Sequence, residues 1–191
     1  MTLLQRIFVP RRPGNPREEL LSQLPPGKVG AEIGVWKGDF SARILTIAKP
    51  SMLHLVDPWL FVPQYPRRWY GGLIAMNQHQ MDAIFDNVVK RFKGDHRVKI
   101  HRDRSADFFA RVTQHLDWVY IDGDHSLEAV LNDLRSAWRC VRPRGILCGD
   151  DLDWPDADGT RPVLAALAIF AKETATSYST IGNQFFIQRQ D

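Results

Sequence analysis

Residues 117–134 read DWVYIDGDHSLEAVLNDL. The apolar run from Trp118 to Ile121 stops abruptly at Asp122-Gly123-Asp124-His125, and an amphipathic pattern begins at once. A short run of aromatic and β-branched residues predicts a strand. The stretch after it places Leu127, Val130, Leu131, Leu134, Trp138 and Val141 at helical spacing, with Ser126 as the expected N-cap and Glu128 in the first turn, where negative charge suits the helix dipole. A strand that runs into a helix through two carboxylates and a histidine is a βα unit with a polar, chemically capable corner.

The same alternation extends in both directions. KVGAEIGV, SMLHLVD, RVKIHRD and GILCGD read as further strands, and SYSTI and QFFIQR as two closing strands joined by a Gly182-Asn183 hairpin turn. Between them, SARILTIA continues a face begun by Phe40 with Ile44 and Ile47. MDAIFDNVVKRF sets Met81, Ile84, Phe85, Val88, Val89 and Phe92 on one face, SADFFARVTQHL opens on Ser105 as a cap, and RPVLAALAIFAKE is the last helix. Strands alternating with helices predict an α/β, doubly wound sheet, mainly parallel, with the final hairpin contributing one antiparallel strand. Residues 28–191 form one domain on this reading. Residues 1–27, rich in Pro and Arg, read as an arm or capping segment.

A chain of 191 residues buries enough surface to need no staples, roughly 70% of what it exposes when unfolded. The two cysteines, Cys140 and Cys148, match no zinc spacing and sit among apolar residues, so they read as buried free thiols of a reducing, cytoplasmic compartment. No apolar run spans a bilayer. The N-terminus lacks a signal-peptide pattern, because Arg6 and Pro10 break its apolar part. A net charge of +3, with arginines scattered outside any base-reading motif, excludes nucleic acid as the expected partner.

In sheets of this kind ligands bind beyond the C-terminal strand ends. Those ends carry Glu32, Asp57, Asp122 and Asp150-Asp151. The first strand does not continue into G-x-G-x-x-G, as a dinucleotide site requires. Gly30, Gly34 and Gly38 are spaced by four, and Glu32 would repel a phosphate. An acid there suits a cofactor with positive charge, such as S-adenosylmethionine with its sulfonium and ammonium groups. Asp57 is placed to accept hydrogen bonds from a ribose diol.

Glu32-x-Gly34-x-x-x-Gly38, LHLVDPW, VYIDGDHSLEAVLNDL and RPRGILCGDD together resemble class I S-adenosylmethionine-dependent methyltransferases, in particular the small bacterial metal-dependent O-methyltransferase group. The resemblance covers about residues 28–151. It implies a Rossmann-like seven-stranded sheet with a reversed last strand, and cofactor contacts from Glu32, Gly34, Gly38 and Asp57, with Ser105 near the adenine. The family's Gly-Gly before the fifth strand is Arg144-Gly145 here, which alters a turn but no proposed ligand.

Asp122 closes one strand and Asp150 and Asp151 close another. Adjacent strands lie about 4.8 Å apart, so the three carboxylates can converge. Like charges so close need a cation, and oxygen ligands suit Mg²⁺, Mn²⁺ or Ca²⁺. Asp124 and Asp153 leave the ligand choice open. The resemblance to metal-dependent enzymes acting on catechols and macrolide sugars implies a metal held by Asp122, Asp150 and Asp151, with His125 as general base.

Residues 58–76 gather Trp59, Phe61, Tyr65, Trp69 and Tyr70 with Arg67 and Arg68, and read equally as an acceptor lid hinged at Gly71-Gly72 or as a structural loop. The expected function is transfer of a methyl from S-adenosylmethionine to a hydroxyl of a small molecule, with Mg²⁺. The alternatives are a metal-independent methyltransferase, a nicotinamide-dependent oxidoreductase and a non-catalytic cofactor-binding protein. A homo-oligomer is compatible with the sequence, and no membrane partner is expected.

Overall fold

Seven strands form one sheet in the order β3-β2-β1-β4-β5-β7-β6 in a computed structural model that describes residues 14–191. Residues 1–13, the start of the segment read as an arm, lie outside the described residues. The elements are α1 (Pro16–Leu21), β1 (Val29–Ile33), α2 (Asp39–Ile47), β2 (Met52–Val56), α3 (Gln78–Arg91), β3 (Val98–His101), α4 (Ser105–Arg111), β4 (Leu116–Ile121), α5 (Leu127–Cys140), β5 (Val141–Gly149), α6 (Pro162–Thr174), β6 (Ser179–Ile181) and β7 (Gln184–Gln188). Strands β1 to β5 pair in parallel, and β7 alone runs against its neighbours β5 and β6. The sheet is therefore the mainly parallel, seven-stranded one expected from the sequence.

Alternation along β4 sends side chains to two cores. Trp118 and Tyr120 pack on one face with Leu20, Leu21, Ile44 and Met81. Val119 and Ile121 pack on the other with Phe108, Leu134, Ala166 and Phe170. Both faces of a parallel sheet must be covered by helices, and here they are. Two apolar positions expected inward are not: Leu127 and Val89 are each 41% exposed, because α5 and α3 turn them past the edge of the buried stripe. Ser126 caps α5 as expected, its hydroxyl accepting from the Ala129 amide. Ser105, expected as a cap, is instead the first residue of α4, after Arg104, which caps without a side-chain bond. Cys148 is buried, but Cys140 is only half-buried.

The N-terminal segment packs closely where it is described. Asn15 caps α1 and accepts from the Arg17 amide, Pro16 opens the helix, and Leu20, Leu21 and Leu24 are buried against the sheet face that α2 covers. Arg144 adopts φ 63° in the irregular first part of β5, where the resemblance has glycine, and its guanidinium pairs with Asp191. Among the described residues no helix is long and apolar enough to cross a membrane.

A polar trio sits near the β3 edge. His54 Nδ1 lies 2.9 Å from His101 Nε2, and Gln114 Nε2 lies 2.9 Å from His54 Nε2. Burial, then the neighbouring His101 and Lys99, lower the His54 pKa to about 4. An unfolded histidine takes its proton near pH 6.5, so the unfolded state gains protons first as the medium is acidified. Stability is expected to fall between about pH 6.5 and pH 4, by about 2–3 kcal/mol from His54. Ring resonances of His54 that titrate near 6.5 in the folded protein would refute this.

Candidate active site

The register sets the site. Val56, Ile33, Ile121 and Gly149 stand in one row across the four central strands. Each strand then adds one backbone bond to its neighbour: Gly34 N–H to Val56 O (2.9 Å), Asp122 N–H to Ile33 O (2.8 Å) and Asp150 N–H to Ile121 O (3.1 Å). Asp57, Gly34, Asp122 and Asp150 therefore stand in the row just beyond the strand ends. The acidic residues noted in the sequence share one edge for that reason.

On the β1–β2 side the loop after β1 folds over Asp57. Its Oδ2 accepts from the Val35 and Trp36 amides (3.0 and 2.9 Å), and its Oδ1 accepts from the Trp59 amide at 2.7 Å. Burial raises its pKa, while these three amides act against the rise. Glu32 is buried at 1% exposure, and its Oε2 accepts from the Ser41 hydroxyl at 2.5 Å. Burial holds its carboxyl well above the ordinary range against the pull of Ser41. Gly34, at φ +89°, brings the β1 turn against the Asp122 carbonyl. Gly38, at φ +74°, opens α2 against the Phe92 ring. Ser105 opens α4 beside Asp133, whose pKa burial pushes up to about 6 against the Ser105 hydroxyl.

On the β4–β5 side the carboxylates separate into two groups. Asp150 is buried, with Oδ2 paired to Arg17 and Oδ1 accepting from Gln184 Nε2 and, at 2.7 Å, from the Asp151 amide. Burial pushes its pKa up to about 6 despite Arg17. Asp151, at φ 64°, turns the other way, and its Oδ2 lies 2.9 Å from His125 Nε2. Burial opposes its charge, but His125 holds its pKa below the usual range. Asp122 bridges the groups: Oδ2 accepts from Arg17 at 3.0 Å, and Oδ1 lies 3.8 Å from His125 Nε2. Burial disfavours charge on His125, yet Asp122 and Asp151 bring its pKa up to about 9.

Among the described residues Asp122, His125 and Asp151 form the cluster able to hold a metal ion, with one ligand atom from each within 4.8 Å of the others. His125 Nε2 is buried without a hydrogen bond to any described residue, since its approach to Asp151 lacks the alignment one needs. A buried nitrogen facing two carboxylate oxygens is a donor set that fits a divalent cation. Asp150, expected among the ligands, is engaged elsewhere, and the structure brings His125 to the cluster in its place.

Beside the cluster, Tyr65, Arg67, Arg68, Tyr70, Asp124 and Ser126 help line a cleft of about 330 Å³. Arg68 joins cleft to cluster, its Nη1 3.4 Å from His125 Nδ1 and its guanidinium 5.1 Å from the Trp154 ring. Of the aromatic residues in the 58–76 loop, Trp59 is buried and donates from Nε1 to the Trp36 carbonyl, while Tyr65 and Trp69 are exposed.

The Methyltransferase domain family matches residues 31–152. The chain belongs to that family, as a class I S-adenosylmethionine-dependent methyltransferase. No curated protein matches it. Among solved structures it is similar to the O-methyltransferase NovP (19% identity, TM-score 0.65, covering 93% of this chain and 81% of that one). It is also similar to the O-methyltransferase TomG from Streptomyces achromogenes, in complex with SAM (14%, 0.60, 93% and 81%). An O-methyltransferase family protein from Burkholderia thailandensis aligns over 92% of this chain at 14% identity and TM-score 0.62, and this chain spans 56% of its length. Other neighbours include an N-methyltransferase, so likeness at this level conveys the fold and not the acceptor. Membership of a methyltransferase family sets the nicotinamide alternative aside.

Arg17, Gln184 and Trp154 were not anticipated as site residues. Asn15-Pro16 followed by Glu18-Glu19 carries a helix-start signal. That signal locates α1 but does not say that Arg17 reaches strands more than a hundred residues further along the chain.

Proposed function

We propose that the protein transfers a methyl from S-adenosylmethionine to a hydroxyl of a small molecule, assisted by a divalent cation held by Asp122, His125 and Asp151. The observation that carries the metal half is the convergence of the buried His125 Nε2 with the Asp122 and Asp151 carboxylates, one ligand atom from each within 4.8 Å of the others. Mg²⁺ is the expected ion, and Mn²⁺ or Ca²⁺ suit the same oxygen-rich set. We place the cofactor over the loop after β1, with Glu32, Gly34, Gly38 and Asp57 forming its bed and Ser105 toward the adenine. The acceptor enters the adjoining cleft, where Tyr65 and Tyr70 offer ring faces and Arg68 a cation. When bound, the ion would lower the pKa of the acceptor hydroxyl, so that it gives its proton to water near neutral pH. The oxygen then attacks the methyl carbon in line, the C–S bond breaks and S-adenosylhomocysteine leaves. A cytoplasmic setting supplies the cofactor.

A second role for His125, as general base, draws on its place between the cluster and the Arg68 side of the cleft.

Calorimetry tests both halves. S-adenosylhomocysteine is expected to bind the protein, and Mn²⁺ to bind at one site per chain. Asp57→Ala removes the acceptor that holds three loop amides and should weaken S-adenosylhomocysteine by about 1.5–3 kcal/mol, the scale of a hydrogen bond to a charged group. No binding of S-adenosylhomocysteine would remove the cofactor assignment. No Mn²⁺ binding would remove the ion and leave a metal-independent methyltransferase.

A further inference from the structure

A cation already stands in the acidic cluster. Arg17 Nη2 pairs with Asp122 Oδ2 at 3.0 Å and with Asp150 Oδ2. The guanidinium also lies 4.9 Å from the Phe40 ring centroid, so α2 supports it from the side. Its backbone is fixed by α1, through the Asn15 cap, the buried Leu20 and Leu21, and the ion pair of Glu18 with Arg43. Both carboxylate contacts come from one nitrogen, Nη2, and the flat guanidinium that carries it lies against an aromatic ring, a contact arginine offers and lysine does not.

The consequence is a division of labour. Asp150 has both oxygens engaged, one with Arg17 and the other with Gln184 and the Asp151 amide. Asp122 has one oxygen on Arg17 and one turned toward His125. Asp151 has no arginine among its described partners and faces His125. We propose that Arg17 is a resident cation of the acidic cluster: it withholds Asp150 and one oxygen of Asp122 from a divalent ion, and so sets how tightly that ion binds. This rests on the divalent-ion reading given above. Arg17 is a positioning residue on this view. It acts through Asp122 and Asp150 by occupying their oxygens and by adding a like charge beside the ion. A site with a built-in positive charge holds its ion weakly and exchanges it readily.

Mn²⁺ titration of the whole chain tests this, with free Mn²⁺ read by electron paramagnetic resonance and no turnover required. Arg17→Gln removes the charge and frees both carboxylates, and it should bind Mn²⁺ about tenfold tighter or more, because two cations sharing one carboxylate repel at short range. Arg17→Lys keeps a charge but loses the planar group that rests against Phe40, so its affinity should fall between the two. Where more than one of the three proteins binds the ion, any other order among them overturns the proposal. If Arg17→Gln fails to fold, Arg17→Lys alone decides, since an affinity no tighter than that of the unaltered protein overturns it. An ion bound by the unaltered protein with no gain on substitution leaves the metal reading standing and this proposal refuted. An ion bound only by Arg17→Gln does the reverse, because Arg17 then keeps the divalent ion out of the unaltered protein. An ion bound by neither refutes both.

Discussion

Alanine at Gly34 is expected to destabilise the protein by about 3–5 kcal/mol and to disable the site, because two costs fall on one residue. The first is the left-handed backbone, φ +89°. The second is space: a Cβ there would lie 2.0 Å from the Asp122 carbonyl oxygen, 2.5 Å from its carbon and 2.9 Å from the Gly123 Cα. All three are backbone atoms, so no side chain can rotate away. Relief requires β1 and β4 to part, against the bond from Asp122 N–H to Ile33 O, or Gly34 to shift, against its bond to Val56 O on β2. The strand that moves carries Asp122, so the cluster opens along with the sheet. Gly94 supplies the control, with the same φ of +89° and nothing within 4 Å of a built Cβ. Gly94→Ala should cost only the backbone share, about 1–2 kcal/mol. Urea denaturation of the two variants isolates the contact between strands. Equal losses would mean that the β1 turn yields easily and does not hold Asp122 in place.

That turn also shows where the sequence was legible. Strand–helix alternation and the hairpin at Gly182-Asn183 determine the sheet, because periodicity reports directly on which face is buried. The spacing of Gly34 and Gly38 marks a close backbone approach, but it does not say to what. The structure supplies the partners: the Asp122 carbonyl for Gly34 and the Phe92 ring for Gly38. In the acidic cluster the alignment of Asp122 with Asp150 follows from strand register, and register is readable from the pattern. How the carboxylates divide is not readable, because Asp151 takes φ 64° and turns away from Asp150. Arg17 comes from a segment whose composition reads as an arm or capping segment and does not say what it reaches. Leu127 and Val89 show the limit of periodicity itself, since a helix buries a stripe whose edges depend on what lies opposite.

The second large effect concerns His125, where two roles lead to different measurements. Substitution by alanine is expected to lower turnover by about 100-fold or more under either role, since a missing general base and a missing ligand both act on the ionisation of the acceptor. Rate alone cannot separate them. Ion affinity can. As a ligand, His125 contributes Nε2 to the set with Asp122 and Asp151, and removing it should weaken Mn²⁺ while leaving S-adenosylhomocysteine affinity unchanged. As a base, it would leave Mn²⁺ affinity intact. We expect the first result, because the nitrogen is buried, faces both carboxylates and has no hydrogen-bond partner among the described residues. Asp151→Asn is the companion variant. It removes the charge nearest that nitrogen and should weaken Mn²⁺ in the same way. Chelation should abolish turnover in the unaltered protein, and added Mg²⁺ or Mn²⁺ should restore it. Full turnover in excess chelator would eliminate the ion. Unchanged Mn²⁺ affinity in His125→Ala, together with a slowed reaction, would return the imidazole to the acceptor's proton and leave Asp122 and Asp151 to hold the ion without it.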